Sequence, residues 1–415
     1  MTAAISQRDR DILRSLAKRV VEIAGDPSQD EKLELWRRLN ALDPVRPMVM
    51  LHNGTWHETG DQIQVTCEDQ WARDQEWGLR ERIYQSEHMN DDSVVLAEIE
   101  SPLVIHASWY GIAQNTTEPQ HVFGARRFNT VLNDDADPAM IPEPEVRVDE
   151  PETAAHYQKL GDIYGDIMPV VKKGRTSFWF AIMDDFITWR GLEKTFVDMI
   201  DRPEWVHAWM ERMTMFQLTI LGKIEELNGL SLNNVATNCG SGGLGTTDLL
   251  PADDFDGTRV RSKDMWGHAT TQIFSEVSPA MHEEFALQYE KRWLDRFGLS
   301  NYGCCEPLDR KVDIIRKYIG NLRRLSMSPW VDVARGAEAI GKDFIFSWKP
   351  NPAILGSETW NPEYIRKYTR DALEKSRGCA VEIIMKDLHT VRGEPKRMWE
   401  WCNIAKEEAE RIAAA

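Results

Sequence analysis

The sequence predicts an α/β protein built as a single (β/α)8 TIM barrel, with an N-terminal helical lead-in and a long insertion after the first strand. Three observations carry that expectation. Eight short apolar runs of β-leaning composition are spread along the chain, helical patterns with start and stop signals separate them, and 415 residues with 42% hydrophobic content can fill one large core. A doubly wound open sheet is the lesser option.

The lead-in spans residues 1–44. Ser6 precedes Ile12, Leu13, Leu16, Val20 and Ile23 at helical spacing, and Ser28 with Glu31 forms a capping box for a second helix carrying Leu35, Trp36 and Leu39. The barrel is expected over 45–415. Its eight runs are 45–51, 102–109, 177–183, 232–238, 298–304, 321–327, 343–348 and 380–386. Pro203 after Asp201, Ser278 before Pro279, Asn361 before Pro362 and Gly378 after 362–377 punctuate the helices between them. Residues 55–176 are too long for one strand-helix unit and predict an elaboration over the first strands.

The bulk composition narrows the function. A formal charge of −17 argues against nucleic acid or an anionic membrane as partner, and against a strongly anionic substrate unless basic residues gather locally. No stretch approaches the ~18 apolar residues of a membrane span, and the N-terminus lacks the uninterrupted apolar core of a signal peptide. Six scattered cysteines predict reduced thiols and a cytoplasmic protein. Of sixteen tryptophans, Trp36, Trp205, Trp209 and Trp293 lie at helical spacing and are expected to pack.

In a barrel of this kind the chemistry sits where strands end. The residues following the runs are His52 and Asn53; His106 and Trp109; Asp184 and Asp185; Asn238 and Cys239; Cys304, Cys305 and Glu306; Ser326 and Ser328; Lys349; and Lys386, Asp387 and His389. Cysteine, glutamate and histidine are zinc ligand types, and a catalytic zinc keeps three protein ligands and one open position. Strand alternation lets Cys304 and Glu306 share a direction while Cys305 faces elsewhere, and His389 follows the last run. The segment GSGGLG (240–245) matches a dinucleotide fingerprint, but TTDLLPADDFDG follows it instead of an amphipathic helix, so a flexible loop over the site is expected.

The segments GLEKTFVDMIDRPEWVHAWM (191–210), QIFSEVSPAMHEEFALQYEKRWLDRFGL (272–299), LRRLSMSPWVD (322–332) and EPKRMWEWCNIAKE (394–407) resemble the uroporphyrinogen decarboxylase superfamily, in its branch of corrinoid-linked methyltransferases. The resemblance covers roughly residues 160–410 and implies a single barrel with its site at the C-terminal mouth. Decarboxylases of that superfamily carry an arginine-rich segment near the start, whereas RPMVMLHNGTWHETG has one arginine. The methyltransferases bind zinc through His-x-Cys and a distal cysteine. Here Tyr302-Gly303-Cys304-Cys305-Glu306 and Asp387-Leu388-His389 stand in those places, a departure from the pattern.

The resemblance implies a zinc-dependent methyltransferase that moves a methyl group between a small methylated substrate, such as a methyl ether or thioether, and a corrinoid (cobalamin) on a separate protein; the zinc would either activate an acceptor thiol or, the reading preferred here, polarise the methylated donor for demethylation. The chain itself contains no Asp-x-His-x-x-Gly corrinoid motif. The metal is expected at Glu306, His389 and Cys304 or Cys305. Glu306, Asp387 and Lys349 are the expected catalytic groups, and His52, Asn53, His57, Trp109, Asp185 and Asn238 are expected to bind substrate. A homodimer is compatible with this reading. A decarboxylase-like lyase, a metal-independent hydrolase using Asp184 or Asp185 with Glu306, and a non-catalytic corrinoid- or tetrapyrrole-binding protein stand as alternatives.

Overall fold

A computed structural model describes residues 5–118 and 127–415. Its centre is a parallel sheet of six strands: β1 (Met48–Leu51), β2 (Trp266–Ala269), β3 (Leu299–Tyr302), β4 (Leu322–Met327), β5 (Ile345–Trp348) and β6 (Ala380–Met385). Their spatial order is β1-β6-β5-β4-β3-β2. Beyond β2, Phe180 forms an isolated parallel bridge with Ala269, so the chain around 177–180 continues the sheet by one rung.

The two faces of the sheet differ in kind. Val49, Leu51, Leu325, Met327, Phe346, Trp348, Val381, Ile383 and Met385 join the main apolar core with Trp401 and Ala405 of the helix Lys396–Ala413. The alternate residues Met48, Met50, Ile345 and Ile384 pack with Trp36, Leu39 and Leu244, and the same parity places Arg324, Ser326, Ser347 and Glu382 on that second face.

Three expected strands took other forms. The run 102–109 belongs to the insertion, where Ile105–Ala107 pairs antiparallel with Val146–Val148 and Ile99–Pro102 pairs parallel with Val170–Lys173. The run 177–183 contributes only the Phe180 bridge, because the helix Ile182–Arg190 begins within it. The run 232–238 is a loop: Asn233 Nδ2 donates to the Thr176 and Trp266 carbonyls, and Asn234 Nδ2 to that of Leu250, so side chains replace a ladder. Strand β2 stands in its place.

The helix Gln7–Ala24 has the expected cap, Ser6 accepting from the Asp9 amide. The second helix, Pro27–Asn40, starts two residues earlier than its capping box implied: Asp26 accepts from Ser28 N, and Pro27 takes the first turn. Leu13, Ala17, Val20 and Ile23 of the first helix pack with Leu79, Leu160 and Tyr164 of the insertion, whereas Trp36 and Leu39 of the second lie under the sheet. Among the described residues no helix is long and apolar enough to cross a membrane.

GSGGLG is not a mobile cover. Residues 241–247 are buried against the second face of the sheet. Gly243 N donates to Glu382 Oε1, and Arg324 donates to the carbonyls of Gly243 and Leu244. Glycine is required because a Cβ on Gly243 would stand 2.2 Å from the Trp36 ring, and one on Gly242 2.5 Å from Arg324 Cδ.

Candidate active site

Parity builds the site. Continuing the second face past the strand ends brings His52 after Met50, Lys349 after Ser347 and Lys386 after Ile384 to the same edge of the sheet. Continuing the register past Leu51 and Met385 sets His52 beside Lys386, and the His52 amide donates to the Met385 carbonyl at 2.8 Å. Just past β3, the turn at Gly303 (φ 86°) swings two thiols toward them.

Those thiols meet a lysine. Lys386 Nζ lies 3.1 Å from Cys304 Sγ and 3.5 Å from Cys305 Sγ, and the sulfurs are 3.5 Å apart. Asp387, held at a left-handed φ of 58°, sets its carboxylate 2.9 Å from the ammonium and 3.7 Å from Cys305 Sγ. The hydrogen bond from Cys305, with help from Lys386 and against the effect of burial, brings the Cys304 pKa down to about 7, while the same bond raises that of Cys305. One thiolate shared by the pair is the outcome. Burial opposes charge on Lys386, but the two sulfurs and Asp387 outweigh it and raise its pKa.

Carboxyl groups line the next part of the edge. Glu306 is fully buried, accepting from Thr270 Oγ1 at 2.8 Å and from the Cys304 amide at 2.9 Å. Burial lifts Asp184 to about 6 and Asp185 to about 7, with Glu306 adding to the first and Asp184 to the second. Glu290, also buried, is lifted to about 8 and bonds to Thr271 and Tyr302. The Cys304 thiol is thus lowered toward neutrality while the carboxyls of Asp184, Asp185 and Glu290 are raised toward it.

Lys349 is 1% exposed and donates to the Ser347 carbonyl at 3.1 Å and to the Ser347 hydroxyl, which donates in turn to Glu382. Burial, followed by repulsion from Lys386, pulls its pKa to about 7. Burial and the two lysines likewise lower His52 to about 4, leaving a neutral ring whose Nε2 has no partner.

The other expected residues are dispersed. Asn53 closes a turn, its Oδ1 accepting from the amide and hydroxyl of Thr55. His57 stands 3.6 Å from Glu58 in the short helix Trp56–Glu58. Trp109 is half-exposed against Tyr110 on the insertion. Asn238 lines a small crevice with Cys239 and His268, and His389 is exposed on the loop after β6.

The expected zinc ligands do not fit a metal as they stand. No three of Cys304, Cys305, Glu306 and His389 bring ligand atoms within 4.8 Å of one another; among the described residues the group that does so is His106, Asp149 and Glu152, on the insertion. An ammonium already sits against both sulfurs, and Glu306 is committed to Thr270 and a backbone amide. Lys386 was noted after the last run without a role, and Thr270, Glu290, His268 and Ser347 were not among the expected site residues. The sign was present in polar residues at every second position, as in Ile345-Phe346-Ser347-Trp348-Lys349 and Glu382-Ile383-Ile384-Met385-Lys386.

No family model matches the chain, and no curated protein does. Among solved structures, a methyltransferase from Methanosarcina mazei is similar at 11% sequence identity and a TM-score of 0.38, over 79% of this chain and 83% of that one. At that similarity it carries no argument about chemistry. The class defined by the molecule itself is an α/β protein with a parallel six-stranded sheet and a thiol-lysine cluster at one edge.

Proposed function

We propose that the chain is a methyltransferase acting at this edge of the sheet, the C-terminal mouth of a (β/α)8 barrel. It would move a methyl group from a small methyl ether or thioether to a corrinoid carried by a separate protein. The observation that supports this reading is the Lys386 ammonium held 3.1 Å from Cys304 Sγ and 2.9 Å from the Asp387 carboxylate. The choice of a methyl group rests on the resemblance of 191–210, 272–299, 322–332 and 394–407 to corrinoid-linked methyltransferases.

Demethylation needs the departing oxygen or sulfur to be stabilised as it gains charge. Lys386 offers a fixed cation for it. Asp185, half-buried and raised to about 7 by burial and by Asp184, is the group we assign to hand it a proton. Cys304 and Asp387 keep Lys386 charged and aimed, and Glu306 fixes the Cys304 backbone. The partner's corrinoid would supply the nucleophile that accepts the methyl.

The test is methyl transfer to reduced cobalamin from a panel of methyl ethers and thioethers, followed by the absorbance of methylcobalamin. Lys386→Ala and Asp185→Asn should each lower turnover by about a hundredfold or more. Unchanged turnover in Lys386→Ala, or none from the wild type with any donor, would refute the proposal. The elevated pKa values of Asp184 and Asp185 favour a metal-independent hydrolase as second reading, identified by water-derived product without cobalamin.

A further inference from the structure

We infer that Cys304 and Cys305 form a reversible oxidation site, a dithiol that a peroxide converts to a disulfide between adjacent residues. The inference is independent of methyl transfer, since it concerns what the two sulfurs do to an oxidant.

The geometry that carries it is a departure from strand alternation. On a continued strand adjacent side chains point to opposite faces, and Cys305 would look away from Cys304. Instead Gly303, with φ 86°, leads into a bend over 304–306, and both sulfurs emerge on one side, 3.5 Å apart. The backbone of the bend is tied down. Ser241 Oγ donates to the Gly303 carbonyl at 2.7 Å, Ser326 Oγ to that of Cys304 at 2.8 Å, and the Cys304 amide donates to Glu306 at 2.9 Å. The path of the chain therefore holds the thiols as a pair.

The two sulfurs are unequal, as the chemistry requires. Cys304 is 5% exposed with Lys386 Nζ at 3.1 Å, and the bond from Cys305 together with that cation lowers its pKa toward neutrality. Cys305 is exposed, stands 3.7 Å from Asp387 Oδ2 and keeps its proton. The Cys304 thiolate attacks one oxygen of the peroxide. The O–O bond breaks, hydroxide leaves beside the Lys386 ammonium, and Cys304 becomes a sulfenic acid. Cys305 Sγ then attacks Cys304 Sγ, the S–O bond breaks, and the Cys305 proton departs with the hydroxyl as water. In sum the two thiols lose two electrons and two protons, and hydrogen peroxide becomes two waters.

The product is suited to reversal. Adjacent residues hold their Cα atoms about 3.8 Å apart, closer than in ordinary disulfides, so the ring is strained and a dithiol reopens it readily. Closure also takes the negative charge from the sulfurs and leaves Lys386 to Asp387 at 2.9 Å, which alters the charge of the edge. The remaining thiols lack this setting. Cys67, Cys239 and Cys402 are buried, Cys379 is half-buried on the Ala337 carbonyl, and burial raises the pKa of all four.

The experiment treats the reduced full-length protein with equimolar hydrogen peroxide near neutral pH, blocks free thiols with iodoacetamide, and reads the tryptic peptide 297–310 by mass. The expected peptide is lighter by two hydrogens and unblocked at both cysteines, the other four thiols stay blocked, and dithiothreitol restores the pair. Cys305→Ser should stop at a sulfenic acid on Cys304, trapped by dimedone, and Lys386→Met should slow thiol loss about tenfold or more. Both cysteines blocked after peroxide, sulfinic acid without a disulfide, a bridge to Cys379 or to a second chain, or an unaltered rate in a folded Lys386→Met would overturn the inference. The wild-type peptide decides by itself, so misfolding of a variant does not rescue the idea. A disulfide without methyl transfer would sink only the earlier reading; methyl transfer without a disulfide would sink only this one.

Discussion

Tyr302 donates a 2.6 Å hydrogen bond to Glu290 Oε2, and its oxygen is met by His282 Nε2, also at 2.6 Å. The three side chains are buried together behind Glu306, and Tyr302 stands two residues before the first thiol. A carboxyl group is thus locked to the strand that presents the reactive sulfur.

That lock makes stability depend on pH. Burial raises the Glu290 pKa from 4.5 to about 8, so the folded chain retains a proton that the unfolded chain has released. The contribution is fully present below the unfolded value and is lost as pH rises through about 8; Asp184 and Asp185 act in the same sense at about 6 and 7. Urea unfolding across this range should show falling stability, and Glu290→Gln should flatten the upper part of the slope. An identical slope in the variant would contradict the burial of this charge.

The thiol pair should be reactive near neutrality. The rate of alkylation by iodoacetamide should rise with a midpoint near the Cys304 value of about 7, and Lys386→Met should move that midpoint upward by about 1–3 pH units. A midpoint at the ordinary thiol value in the wild type would remove the electrostatic basis of the site.

Arg324 and Glu382 form an ion pair with both side chains fully buried. Glu382→Leu should cost about 3–5 kcal/mol because it strands the guanidinium, while the double change Arg324→Leu and Glu382→Leu should cost less than the single one. Denaturant midpoints of the two proteins decide it. A double variant less stable than Glu382→Leu would point to bonds to Gly243, Leu244 and Asn40 as the larger contribution.

Two glycines should respond in opposite directions. Gly243→Ala forces a Cβ into the Trp36 ring and should destabilise by about 1–3 kcal/mol. Gly78, within the helix Gln70–His88, has nothing within 4 Å of its missing Cβ, and Gly78→Ala should stabilise by about 0.5–1 kcal/mol. Thermal unfolding of both variants checks the pair.

The central strands were legible because β1, β3, β4, β5 and β6 are apolar runs bounded by turn residues, and such runs have few alternatives to burial in a sheet. Strand β2 escaped notice because Trp-Gly-His-Ala is short and mixed, and its place depends on Asn233 and Trp293, far off in sequence, which bond to its backbone. The run 232–238 misled for the converse reason: its asparagines satisfy carbonyls that a ladder would otherwise take. At the site, the position of Cys304 to Glu306 after a strand could be read directly. Their partner could not, since a lysine following an apolar run is common, and only the register of β6 beside β1 and β5 turns Lys386 toward the sulfurs. The GSGGLG run shows the same limit, its spacing having suggested a cover where tertiary packing makes a plug.

That plug has a mechanical meaning for the N-terminus. Asn40 donates to the carbonyls of Leu244 and Thr246 and accepts from Arg324, while the Trp36 indole fills the hollow over Gly243. The helix Pro27–Asn40 is the floorboard of the sheet. A version of the chain trimmed to start at 45 would open the underside to water and leave a guanidinium and two carbonyls without their neighbour, so the first forty residues belong to the foundation on which the reactive edge stands.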